Sequence, residues 1–182
     1  MASGGMAGAS GASIALLPFA VDTYFSATGT LGDASSVQLQ SGAGNCRPSA
    51  MTSAGQCWRV DFNAEVAGVA SGYFWQYPAN NAGQSPGLHI EAGAKRVLFS
   101  ATGDKGGEQV TFFVGGIGTA GTAHRDTFRV ERLVTLSTAP QTLTLDLAAV
   151  SYTNVIGGFG FTVSPGAADK VRFFVSGIQW TK

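Results

Sequence analysis

Gly72-Tyr73-Phe74-Trp75-Gln76-Tyr77-Pro78-Ala79-Asn80-Asn81 is the stretch whose reading decides the fold. Successive side chains of a strand point to opposite faces, so Tyr73, Trp75 and Tyr77 share one face and Phe74 and Gln76 the other. Pro78 cannot donate to a sheet ladder and ends the strand. Asn80, Asn81 and Gly83 then read as loop. Two readings of the aromatic face stand open. In one, the three rings pack inside a β-sandwich. In the other, Tyr73, Trp75 and Tyr77 form a platform for the apolar faces of pyranose sugars, and Gln76, Asn80, Asn81 and His89 contact the hydroxyls. Gln76 faces away from the rings, so it is equally placed to support the fold.

Outward from this stretch the chain is a succession of short alternating runs. Toward the N-terminus, Pro18 breaks a first apolar run and leaves residues 19–25 as a strand, with residues 28–33 as a turn. Residues 37–40 and 57–62 alternate, the latter with Trp58, Val60 and Phe62 on one face and Arg59 and Asp61 on the other. Toward the C-terminus, strands are expected over residues 96–101, 108–114, 127–136, 141–147, 155–163, 171–175 and 178–180. Leu143, Leu145 and Leu147 face one way in the cleanest of these. The glycines of residues 155–163 predict a bulge or a close backbone approach. Nine or ten strands with no helix beyond a turn or two give an all-β fold, an antiparallel β-sandwich of jelly-roll type.

Composition agrees. The 182 residues suit one domain, read as residues 14–182. Only 12% are charged and 26 are glycine, which fits a turn-rich all-β chain. Eleven acidic and eleven basic residues cancel, with no basic stripe, which argues against nucleic acid and anionic membrane as partners. No apolar run approaches the roughly 20 residues of a membrane span, so no membrane insertion is expected. Residues 1–13, MASGGMAGASGAS, read as a flexible Gly/Ser/Ala linker behind a removed leader, placing the domain outside the cell, secreted or at the surface. A monomer is expected.

Cys46 and Cys57 flank the turn-rich segment RPSAMTSAGQ. In an exported chain they are expected to form a disulfide, worth about 3 kcal/mol in the chain-entropy model. Two reduced thiols are the alternative. Zinc is not favoured, because no histidine stands at metal-ligand spacing.

Four segments carry a resemblance: Val21-Asp22-Thr23-Tyr24-Phe25, the opening stretch, Ile156-Gly157-Gly158-Phe159-Gly160-Phe161, and Phe173-Phe174-Val175-Ser176-Gly177-Ile178-Gln179-Trp180. Together they resemble carbohydrate-binding jelly-roll modules of the galactose-binding-like type, over residues 19–180. The chain is also similar to single-module bacterial surface lipoproteins. The resemblance implies a structural calcium, with Asp22 as its first ligand. Ser176-Gly177 stands where such modules often carry acids, leaving Asp33, Asp146 and carbonyl oxygens to complete the site. No cofactor is required for binding.

An enzyme is the alternative reading. A glycosidase needs two carboxylates about 5–10 Å apart, and Asp61, Glu65, Glu91, Glu108, Glu131 and Asp146 are the candidates. A lyase would use a base such as Tyr73 or His89 with Gln76 and Arg59 neutralising a uronate. His89 and His124 read as separate loop histidines. The leading expectation is non-catalytic polysaccharide binding through the aromatic platform. A jelly-roll lyase or hydrolase, or an adhesion domain without a small ligand, are the alternatives.

Overall fold

The computed structural model describes residues 14–46, 56–63, 69–164 and 170–182. The linker assigned to residues 1–13 lies outside them, as does Glu65. Two antiparallel sheets face one another. The first runs β10 (Gln141–Asp146), β7 (Arg96–Gly103), β13 (Lys170–Thr181), β4 (Cys57–Asn63), β3 (Val37–Ser41), and β1 (Phe19–Ala20) also pairs with β13. The second runs β2 (Ser26–Leu31), β5 (Ser71–Gln76), β12 (Gly157–Val163), β8 (Gln109–Gly115), β9 (Arg129–Thr135). Short β6 (Leu88–His89) and β11 (Asn154–Val155) pair beside them. The helices among the described residues are three-residue 3-10 turns. This is the expected antiparallel β-sandwich.

Alternation builds the core. Leu143, Leu145 and Leu147 are buried, while Thr142 and Asp146 on the opposite face are exposed. Rings from both sheets meet in the middle: Phe99 lies 4.7 Å from Phe112, and Phe161 meets Phe173 edge-on at 5.1 Å. Each such ring removed from water is worth about 1.5–3 kcal/mol. The glycines of β12 do what their sequence suggested. A bulge falls between Gly157 and Phe159, and a Cβ on Gly158 would lie 2.6 Å from the Phe25 ring. The Gly158 carbonyl accepts the indole N–H of Trp180 at 2.8 Å.

Two expectations need correcting at the N-terminal end. Residues 19–25 do not form one strand. After Phe19–Ala20 the chain turns through a 3-10 turn at Val21–Thr23, and Phe25 N–H bonds to the Val21 carbonyl. Val21 and Phe25 thereby both reach the core, at 0% and 3% exposure. The expected turn at residues 28–33 is mostly strand β2, whose Gly29 lets the Phe74 ring lie flat across it, 2.2 Å from where a Cβ would stand. The Cys46–Cys57 disulfide is formed and packs with Phe174.

Candidate functional site

Strand register brings three loops to one end of the sandwich. β12 begins opposite the end of β5, with Gly157 beside Gln76, and Gly115 at the end of β8 pairs with Arg129 at the start of β9. The loops over residues 77–87, 116–128 and 147–156 therefore emerge together. Backbone bonds tie them: Tyr77 N–H to the Ile156 carbonyl at 3.0 Å, and His124 N–H to the Gly83 carbonyl at 3.0 Å. Asp126 completes the tie. Its carboxylate accepts the backbone N–H groups of Ile117, Ile156 and Gly157 at 3.0, 2.7 and 3.1 Å. Burial raises its pKa, partly opposed by those three donors.

Between these loops lies an open cleft of about 640 Å³, within the size range of small-ligand sites. His124, Arg125, Ser151, Thr153 and Asn154 supply polar groups along it, and Pro86 supplies apolar surface. No Asp or Glu is among its lining residues. Asp126, next in the chain to Arg125, and Glu91, whose carbonyl holds Tyr152, have their carboxylates engaged elsewhere. Asp126 serves the backbone, and Glu91 accepts from Lys182 Nζ at 2.7 Å and Leu17 N–H at 3.0 Å. The Lys182 contact is the main reason the Glu91 pKa is lowered. Tyr152 forms the floor: its hydroxyl donates to the Glu91 carbonyl and accepts from Ala94 N–H, and its ring stands edge-on to Trp180 at 5.6 Å. Burial raises its pKa.

The residues singled out in the sequence divide sharply. Tyr73 and Trp75 do share a face, but it is the inner one. Trp75 is fully buried, edge-on to Trp58 at 5.3 Å and Phe159 at 5.5 Å. The expected exposed row of three rings is therefore corrected: Trp75 is core, and Tyr73 is half-buried against it. Asn81 is corrected too. It is 3% exposed, and its amide bonds to Tyr77 and Ser85 carbonyls and Ser85 N–H, holding its own loop. Gln76 supports the fold, bonding to Thr28 and to Ala82 N–H. Tyr77 and Asn80 are exposed. Tyr77 lies edge-on to Phe25, and Asn80 occupies a left-handed conformation with φ 59°. His89 is half-buried and pairs with Asn154 of the cleft wall. Tyr24, exposed and edge-on to Phe19, is a second open ring.

Asp22, the calcium ligand that the resemblance implies, has both carboxylate oxygens engaged by protein donors. One oxygen accepts the Trp75 indole N–H at 2.9 Å and the other Gln56 N–H at 3.0 Å. Asp33 is taken up by Ser35 and Ser36, and Asp146 by Ala148 N–H. No three carboxylate, histidine or cysteine side chains converge on a metal position among the described residues. At the opposite end, two smaller concavities of about 330 and 280 Å³ share Asp61, Asn63 and Arg172. There Asp61 pairs with both Arg59 and Arg172, so the charges satisfy one another.

Sequence reasoning missed Arg125, Asn154 and Asp126 as parts of one site. His124 was visible only as a loop histidine. Nothing in their spacing tells that the loop meets residues 151–156, because pairing of β12 with both β5 and β8 creates that meeting.

No family model matches the chain, and no curated protein matches it. Solved structures do. A family 30 carbohydrate-binding module superposes with a TM-score of 0.58 at 12% identity, covering 91% of this chain and 99% of that one. The family 11 carbohydrate-binding module from Clostridium thermocellum, in complex with a β-1,3-1,4-mixed-linked tetrasaccharide, gives 0.57 at 10%, covering 87% and 94%. The family 30 module of a cellulosomal cellulase from the same organism gives 0.55 at 14%, covering 86% and 92%. The shared feature is the β-sandwich fold.

Proposed function

We propose that this domain binds carbohydrate without cleaving it, as a module of a secreted or surface-displayed protein. The observation that carries the reading is the open polar cleft at the loop end of a β-sandwich whose structural neighbours are carbohydrate-binding modules. Hydroxyl, amide and guanidinium groups of Ser151, Thr153, Asn154 and Arg125 would bond sugar hydroxyls, and Pro86 would meet a ring face. Tyr77, Asn80 and His89 remain candidates at the margin of this end. An enzyme of the two-carboxylate type is disfavoured, because the cleft wall supplies neither acid nor base carboxylate. The Cys46–Cys57 disulfide favours an oxidising, extracytoplasmic setting. A monomer binding poly- or oligosaccharide is the simplest form of this reading.

Affinity electrophoresis against a panel of plant and microbial polysaccharides, with reducing-sugar release assayed on the same samples, tests it. Retardation without release is expected. Release of reducing ends would replace the binding module with a hydrolase or lyase. Retardation by no polysaccharide would favour an adhesion domain.

A further inference from the structure

We propose that the ligand of the loop-end cleft is an acidic glycan, a polymer whose uronic acid carboxylates meet Arg125. The inference rests on reading the cleft as a sugar site and names the class of sugar.

The argument is one of unmatched charge. Four of the ten described cations hold a carboxylate: Arg59 and Arg172 hold Asp61, Arg129 holds Glu131, and Lys182 holds Glu91. Of the others, Arg125 is the one that lines the cleft. Arg125 is exposed on the cleft wall, and no carboxylate or other acceptor holds its guanidinium among the described residues. His124, beside it on the wall, has no side-chain partner there either. Asp126, the next residue in the chain, and Glu91, whose carbonyl holds Tyr152, have their carboxylates engaged elsewhere. Asp126 is 9% exposed and spends both oxygens on three backbone N–H groups. Glu91 is divided between Lys182 and Leu17. The cleft thus carries local positive charge in a chain whose net charge is zero.

A guanidinium offers a planar fork of donors that matches a carboxylate with two parallel bonds. Ser151, Thr153 and Asn154 along the same wall fit the hydroxyls that flank a uronate carboxylate on the sugar ring. A neutral glycan would use only part of this set. A sulfated glycan would also satisfy the charge, so the test separates the two anions.

Binding isotherms of the intact chain and its Arg125→Gln variant would be measured against polygalacturonate, alginate and a glucuronate-rich polymer. Each would be run beside its carboxyl-reduced form, with a mixed-linkage β-glucan and a sulfated galactan as controls. At least one polyuronate is expected to bind. Carboxyl reduction is expected to weaken it about tenfold or more, as is Arg125→Gln at an unchanged melting temperature. Equal affinity for the reduced polymer, an unaffected Arg125→Gln variant, or binding confined to β-glucan or sulfated galactan would each overturn the uronate assignment and leave sugar binding standing. Binding of no glycan would defeat both.

Discussion

Trp75 and Tyr77 stand two residues apart and end in opposite environments. Trp75 is enclosed by rings from both sheets, and its one polar atom is answered by Asp22. Tyr77 leaves the strand, 36% exposed, with one edge against Phe25. Replacing Trp75 with Ala opens a ring-sized cavity and orphans an Asp22 oxygen, so urea unfolding should show a loss of about 3–5 kcal/mol. Tyr77→Ala should cost about 1 kcal/mol or less by the same measurement. A Trp75→Ala variant with a near-wild-type midpoint would mean the ring is not core. The alternation of this stretch was legible in the sequence; which face turns inward was not. Period two separates faces, and only the partner sheet tells which is covered.

At the scale of elements, the central strand β12 explains the pattern of glycines around it. A Cβ on Gly72 would stand 1.8 Å from the Phe161 carbonyl oxygen, a backbone atom of the paired strand that cannot swing aside. Gly72→Ala should therefore force β5 and β12 apart and lower stability by about 2–3 kcal/mol, read from the shift in the unfolding midpoint. A stability unchanged by this substitution would contradict the close strand approach. Strong elements were readable because they bury one face completely, as the leucines of β10 do. Weak ones were not. Ser26–Leu31 carries glycine and threonine that spell a turn, yet it is a strand because Gly29 accepts the Phe74 ring and Thr28 anchors both Gln76 and Asn80. Residues 19–25 spell a strand, yet bend so that Val21 and Phe25 can both enter the core.

Over the whole molecule, the sandwich acts as a frame that gathers loops from distant parts of the chain. Residues 86–87, 124, 125, 127, 151–154 and 156 line one cleft because β5, β8 and β12 lie side by side. Asp126 fastens two of those loops from behind. This assembly lies beyond sequence reading, since its members share no local motif. What was legible was a fold of this class; none of the ligand-binding residues named from the sequence lines the cleft. The most direct test of the account is an amide NMR titration of the labelled domain with whichever polysaccharide fragment retards it most. Shifts clustered at residues 86–87, 124–127 and 151–156 are predicted. Shifts confined to an outer sheet face or to the opposite end, or none with any fragment, would contradict the claim that this cleft binds sugar.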